Sequence, residues 1–411
     1  MLYSLIVNVK FEAIEDGTIT SPDGFSAGAI FAGIKTKSAI GPDLGILYSK
    51  VPCNTAALFT TNRIKAAPVL VSQERVKLGK AAAIVANSGC ANACTGEQGL
   101  ADAKEITRLV AEHLGIPPED VLIASTGVIG QPLPMETIRS SIPLIKLSTD
   151  GGHDFARAIM TTDRFSKEIA IRVTAGGIKF IIGGVAKGAG MIHPDMATML
   201  CFLTTDAEVD VEFMRKALKN SVDLSFNMIS VDGDTSTNDT VILMGNGQSE
   251  SEPITEGSRY APVFQNALNR VCTYLAKRIA ADGEGATKLI EVTVTGAGSI
   301  ADARRIARTI TTSPLVKTAV YGRDPNWGRI IAAAGRSGVD IEEDKLSLFI
   351  GNICVLKNGR SQNLNRNKAA AMLEKDEVSI ELQLNSGDAS ATAWGCDLTE
   401  EYVKINAEYT T

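Results

Sequence analysis

IKFIIGGVAKGAGMIHPDMATMLCFLTTD, residues 178–206, holds two apolar runs joined by a loop rich in glycine. The first run reads as a strand ending in a flexible turn. TMLCFLTTD, from residue 198, reads as a strand straight after it. The same alternation continues on both sides. KAAAIVAN (80–87) is a candidate buried strand, followed by a Gly/Asn/Thr loop and a helix from about 99 to 113. VLIAST (121–126) is another strand, and it runs into a glycine turn. Downstream, Val263, Ala267, Val271, Leu275 and Ile279 recur at helical spacing over 261–281, and Asp282-Gly283-Glu284-Gly285 supplies the stop. LIEVTVTG (289–296) resumes strand. NGQSESEPITEGS (246–258) and LKNGRSQNLNRN (356–367) read as exposed loops. Strands alternating with helices predict an α/β fold. A boundary near 285 divides it into a main domain, 1–285, and a smaller C-terminal α/β domain, 286–411.

The chain has 411 residues, 45% of them apolar, enough for a sizeable core. Its net charge of −6 comes from interspersed charges, with no basic stripe carrying aromatics, which argues against nucleic-acid binding. Seven scattered cysteines argue against a disulfide framework and for a reducing, cytoplasmic setting. MLYSLIVNVKF at the start resembles a leader, but Asn8 and Lys10 interrupt its short apolar run, so a first strand is expected. No segment has the ~20 apolar residues of a membrane-spanning helix.

Three motifs fail on their own chemistry. Gly296-Ala-Gly298-Ser-Ile-Ala301 follows a strand and opens a helix like a dinucleotide fingerprint, yet no ribose-binding acid stands at the required spacing. Asp232-Gly-Asp234-Thr-Ser236-Thr-Asn238 resembles a calcium loop, but Thr237 replaces the turn glycine and Leu243 the bidentate Glu. Cys90 and Cys94 lack the second pair or histidine of a zinc site, so no metal is expected. Three histidines (His113, His153 and His193) make a serine–histidine triad hard to build.

The loop in 183–200 suits a different chemistry. Its glycines free the backbone, Pro194 fixes one turn, and Thr198 stands behind the small Ala197 at the start of a strand. The Thr198 hydroxyl can attack the Ala197 carbonyl, giving an ester that hydrolyses far more readily than an amide. Thr198 then becomes an N-terminus whose free amine has a pKa of about 7.7–8.0. That amine can accept the proton of its own hydroxyl, so no histidine is required. Ser125-Thr126-Gly127-Val128-Ile129-Gly130, a strand end that turns sharply, offers donors for a tetrahedral oxyanion.

At KGAGMIHPDMATML the sequence closely resembles the self-cleavage signature of the ornithine acetyltransferases, or glutamate N-acetyltransferases, of arginine biosynthesis. NSGCANACTG (87–96), ASTGVIGQ (124–131), TTDRFSK (161–167), SVDGDTSTNDT (230–240), DGEGATK (282–288), LVKTAVYGRDPNWGR (315–329) and YVKINAEYTT (402–411) resemble the same family. Ala189 departs from a frequent serine, and Asp195 from a frequent asparagine. The resemblance implies cleavage between Ala197 and Thr198, with Thr198 as nucleophile and Thr126 and Gly127 as the oxyanion hole. It implies that Thr161, Lys187, Glu284, Asn406 and Thr411 join Thr198 in binding substrate. It further implies a layered αββα sandwich like that of self-processing aminopeptidases, and α and β chains assembled as α2β2. The substrates would be N2-acetylornithine and glutamate, with no cofactor; acetyl-CoA as an additional acetyl donor stays open. N2-acetylornithine carries a carboxylate and a distal ammonium, which suit Lys187 for the carboxylate and Glu284 for an amine. The rival readings are a self-processed aminopeptidase or amidase, in which water takes the acyl group, and a nucleotide-binding module built on the GAGSIA turn.

Overall fold

The computed structural model describes residues 8–35, 41–193, 199–249, 251–362 and 365–408. Most of the expected N-terminal strand, the pair Ala197 and Thr198, and Thr411 lie outside them. In chain order the first part contains β1 (Lys10–Ala13), β2 (Phe25–Ile30), β3 (Leu44–Phe59), α1 (Ala67–Arg75), β4 (Lys80–Cys90), α2 (Gly96–Leu114), β5 (Val121–Val128), α3 (Met135–Ser141) and α4 (Gly152–Ala158). It continues with β6 (Lys167–Ala175), β7 (Ile178–Lys187), β8 (Leu200–Thr205), α5 (Val211–Leu224), β9 (Ile229–Ser230), β10 (Thr240–Gly245) and α6 (Ala261–Ala281). Then follow β11 (Leu289–Ala297), α7 (Ile300–Thr311), α8 (Pro314–Tyr321), α9 (Trp327–Gly335), β12 (Ser347–Ile350) and β13 (Ile353–Lys357). The last elements are β14 (Arg360–Ser361), α10 (Arg366–Met372), β15 (Glu377–Gln383), β16 (Ala389–Cys396) and α11 (Glu400–Ala407).

The first sheet runs β1-β6-β7-β8-β10-β3-β4-β5, with β2 also paired to β3. Strand β3 is long because it serves two layers. Its first half pairs with β2 and its second half with β10. Its register with β4 slips between Tyr48 and Cys53, an irregularity that bends a strand and increases its twist. Strand alternation then sorts side chains to opposite faces. Ala83 and Val85 of β4 pack with Val71 of α1 and with Ile106 and Val110 of α2. The intervening Ile84, with Ala86, faces Leu200 and Phe202 of β8 and Ile242 and Met244 of β10. Cys201 and Leu203, on the other side of β8, meet Leu218 of α5 and Val271 and Leu275 of α6. The layers therefore run α1/α2, β4/β5, β8/β10, α5/α6. This is the expected αββα sandwich.

A second sheet, β14-β13-β12-β15-β11-β16-β9, carries α7 against β11 and β16. All its strands follow residue 288 except β9, which pairs with the edge of β16. Helix α6 touches both sheets, and its apolar core runs on into the second. Helix α7 opens directly after β11, with Ser299 as its N-cap, so the GAGSIA turn has an ordinary strand-to-helix packing role. The stretch 356–367 differs from its loop expectation. The end of β13 pairs with β14 through a turn at Asn358 (φ 48°) and Gly359 (φ 71°), and α10 begins at Arg366. Two positive-φ residues make the tight hairpin turn that Asn-Gly favours, and the strands flanking it are too short for a periodicity to stand out.

Phe202 is fully buried between the two strand layers, its ring edge-on to Phe155 at 5.5 Å. Phe202→Ala should lower unfolding free energy by ~3–5 kcal/mol in a denaturant titration; a loss under ~1 kcal/mol would contradict the two-layer core.

Candidate active site

Strands β7 and β8 lie antiparallel, with Lys187 opposite Leu200. The glycine-rich loop thus leaves and returns to neighbouring strands, and both of its ends are held by carboxylates. The Gly188 amide donates to Asp163 Oδ1 at 2.7 Å. The amides of Met191 and Ile192 donate to Asp232 Oδ2 and Oδ1 at 2.6 and 2.9 Å. On the returning side, the Met199 amide donates to Asp239 Oδ1 at 3.0 Å, and Met199 O accepts from the Thr240 amide at 3.0 Å. Met199 is the residue bonded to Thr198. Its place at the head of β8 is therefore tightly defined.

Beside this strand pair lies a pocket of about 320 Å³ lined by Thr126, Gly127, Thr161, Lys187, Glu284 and Asn406, together with Thr162 and Asn238. The first six are all the expected site residues that the description covers; they come from distant stretches and meet in one place. Thr126 and Gly127 stand near the end of β5. Gly127 has φ +131°, and a Cβ there would fall 2.3 Å from the Gly89 carbonyl carbon, so strand pairing and backbone angle both demand glycine. Lys187 is buried and its Nζ donates to Thr126 Oγ1 at 3.2 Å. Burial lowers its pKa, with Asp163 opposing the shift.

Glu284 follows the end of α6. Its carboxylate accepts from Thr162 Oγ1 at 2.7 Å and from Asn406 Nδ2 at 2.8 Å, so the C-terminal helix α11 is tied to the pocket. Gly190 passes so close that a Cβ would sit 2.4 Å from the Glu284 carboxyl carbon. The pocket thus presents an ammonium beside Thr126 and a carboxylate across from it, as a zwitterionic ligand would require.

Four important polar groups were not expected from the sequence. The Asp163 side chain is fully buried. It takes Lys167 Nζ and the Gly188 amide on Oδ1, both at 2.7 Å, and the Thr161 amide on Oδ2 at 2.9 Å. Lys167 Nζ also donates to buried Asp282 at 2.7 Å, and Asp282 accepts in turn from Arg164. Asn238 Nδ2 donates to Ala91 O and Ser125 O at 2.7 and 2.9 Å, holding the end of β5 in place. Asp239 is buried, burial pushes its pKa well up, and its Oδ2 has no hydrogen-bond partner among the described residues. The family-like stretches TTDRFSK and SVDGDTSTNDT contain Asp163, Lys167, Asn238 and Asp239, but nothing local marks them as buried.

Burial alone would raise the Asp163 pKa, but Lys167, Lys187 and the Gly188 amide override it and hold it down from 3.8 to about 2. A depressed carboxyl pKa contributes stability above its unfolded value, and that contribution disappears as pH falls through the folded value. Unfolding free energy should therefore fall between about pH 4 and pH 2. Asp163→Asn should lose this limb and be destabilised near neutrality by ~3–5 kcal/mol, the usual result of breaking a buried ion pair. Denaturant titrations across that pH range check both; an unchanged pH profile in the variant would contradict the assignment.

The sequence matches the ArgJ family over residues 26–411. A curated relative, the arginine biosynthesis bifunctional protein ArgJ of Dehalococcoides mccartyi, is 56% identical over 402 residues, 98% of this chain and 99% of that protein. Among solved structures, ArgJ of Bacillus halodurans is 46% identical with a TM-score of 0.49, covering 50% of this chain and 97% of its own. An ornithine acetyltransferase of Mycobacterium tuberculosis, crystallised with ornithine, is 33% identical with a TM-score of 0.40, covering 45% of this chain and 98% of its own. Matched from residue 26 to its last residue and more than half identical to a curated relative along its length, the chain belongs to the ArgJ family.

Proposed function

We propose that the chain is a glutamate N-acetyltransferase of arginine biosynthesis, which moves the acetyl group of N2-acetylornithine to glutamate through an acetyl-Thr198 ester. The observation that carries this reading is the convergence of Thr126, Gly127, Thr161, Lys187, Glu284 and Asn406 on one pocket, beside the strands that flank the glycine-rich loop. Family membership supports the pathway. An aminopeptidase or amidase, and a nucleotide-binding module, are not favoured by it.

The reaction starts with self-cleavage. Thr198 Oγ attacks the Ala197 carbonyl, the C–N bond breaks as the nitrogen takes a proton, and water hydrolyses the ester. The new α-amine then takes the Thr198 hydroxyl proton while Oγ adds to the acetyl carbonyl of N2-acetylornithine. Thr126 Oγ1 and the Gly127 amide hold the oxyanion, with Lys187 donating to Thr126 from behind. The intermediate collapses, and ornithine leaves with its α-nitrogen reprotonated. The α-amine of glutamate attacks the acetyl ester next, regenerating the Thr198 hydroxyl and releasing N2-acetylglutamate. Lys187 and Glu284 select for substrates that carry both a carboxylate and an amine, and Thr161, Asn406 and Thr411 complete the binding set. No step asks for a metal or an organic cofactor.

Acetyl-CoA serves as a second acetyl donor in this reading, in keeping with the bifunctional name of the D. mccartyi relative. The α chain (1–197) and β chain (198–411) stay together as α2β2. Among the described residues no helix is long and apolar enough to cross a membrane, and we place the enzyme in the cytoplasm.

Thr198→Ala should stay uncut and inactive on a denaturing gel and in an acetylglutamate assay, whereas the native chain should yield a fragment beginning Thr-Met-Leu-Cys. Thr126→Ala should lower the transfer rate by ~10²–10³. Free acetate released in place of acetylglutamate would support the hydrolase reading instead.

A further inference from the structure

The stretch LVKTAVYGRDPNWGR (315–329) resembles the family yet contributes no residue to the pocket lining. Its Lys317 lies on α8 and is buried with Val316 and Val320, at only 4% exposure. A buried ammonium is costly unless hydrogen bonds offset its lost hydration. Among the described residues Lys317 Nζ pairs with no carboxylate. It donates instead to two backbone carbonyls, Val231 O at 2.7 Å and Cys396 O at 2.6 Å.

Those carbonyls mark a fork. Strands β9 and β16 run parallel, pairing Ile229 with Trp394 and Ser230 with Gly395, and then separate. Beyond Ser230, the Val231 amide donates to Ile192 O at 2.8 Å, and the Asp232 carboxylate takes the Met191 and Ile192 amides. Beyond Gly395, the Asp397 carboxylate takes the amides of Thr287 and Lys288 at 2.8 and 3.0 Å. Gly283 packs into the fork itself, where a Cβ would fall 2.6 Å from Cys396 Sγ and 3.2 Å from Val231 Cγ1. Glu284 follows, and its amide donates to Ala189 O at 2.9 Å. Residues 189–192 are therefore held by two rails, 231–232 and 283–284. Both rails rest on the fork that Lys317 closes.

We propose that Lys317 is a positioning residue for self-cleavage. Its ammonium joins the two arms of the fork, and the fork sets residues 189–192, the early part of the loop that carries the Ala197–Thr198 bond. Attack on a peptide needs the reacting atoms close and aligned, so a loop whose rails shift loses rate before the chain loses its fold. Charged donors make the stronger hydrogen bonds, and here one ammonium serves both arms at once. The inference rests on the proposed self-cleavage and adds to it a residue that does not line the pocket.

The test follows decay of the uncut full-length chain on a denaturing gel after cell-free synthesis is stopped, with melting temperature measured on the same variants. Lys317→Met should slow cleavage by about tenfold or more, as loss of a charged hydrogen bond does. Lys317→Gln keeps amide donors and should be slowed less. Leu348→Ala, a cavity in β12 on the far side of the same sheet, should lower melting temperature at least as much and leave the cleavage rate within about twofold. In an Asp232→Asn background, Lys317→Gln should slow cleavage by less than about twofold further, because both changes act on one clamp. Should Lys317→Met not fold, Lys317→Gln and the double variant carry the test. Folded Lys317 variants that cleave at the native rate, Leu348→Ala slowed as much as they are, or effects of Lys317 and Asp232 that simply multiply would each overturn the inference. A native chain fully active in acetyl transfer while uncut would instead overturn the reading of self-cleavage.

Discussion

One buried carboxylate organises this site. Asp163 holds the amide of Thr161, the amide of Gly188 and the ammonium of Lys167, and Lys167 passes the connection to Asp282 at the end of α6. Two residues beyond Asp282 stands Glu284. The network therefore fixes three walls of the pocket relative to one another: the Thr161 loop, the start of the glycine-rich loop and the Glu284 turn. Buried ion pairs contribute little net stability over well-packed apolar residues, but breaking one is severe. Here the arrangement holds separate segments in register, which an apolar cluster would do with less directional control.

The strand layers supply the other constraint. Because β7 and β8 are neighbours in the sheet, Lys187 and Leu200 face each other although a long loop separates them in sequence. The ends of that loop cannot drift apart. Asp232 on one side and Asp239 on the other hold the amides of Met191 and Met199. Among the described residues the buried Oδ2 of Asp239 has no hydrogen-bond partner, an arrangement that proteins rarely leave without a role.

Much of the fold was legible in the residues. KAAAIVAN, VLIAST and LIEVTVTG are apolar runs of strand length, and each is a strand. Helix α6 follows the expected spacing because Val263, Ala267, Val271, Leu275 and Ile279 all point into the core. The pocket was legible where chemistry leaves a local mark, as at Gly127, a glycine near a strand end. It was not legible where polar residues are buried by distant partners. Asp163 and Asn238 look like loop residues, and only the meeting of chain segments far apart in sequence reveals what they hold. The hairpin of β13 and β14 stayed hidden for a different reason, since it is too short for any periodicity.

The central claim is that the acetyl group rests on the hydroxyl of Thr198. It is tested most directly by quenching the enzyme in acid after mixing with N2-acetylornithine in the absence of glutamate, followed by peptide mass spectrometry. The account predicts one acetyl group on the peptide that begins at Thr198, lost when glutamate is added before the quench. An acetyl group on a different side chain, or full activity from a chain still joined at Ala197, would contradict it.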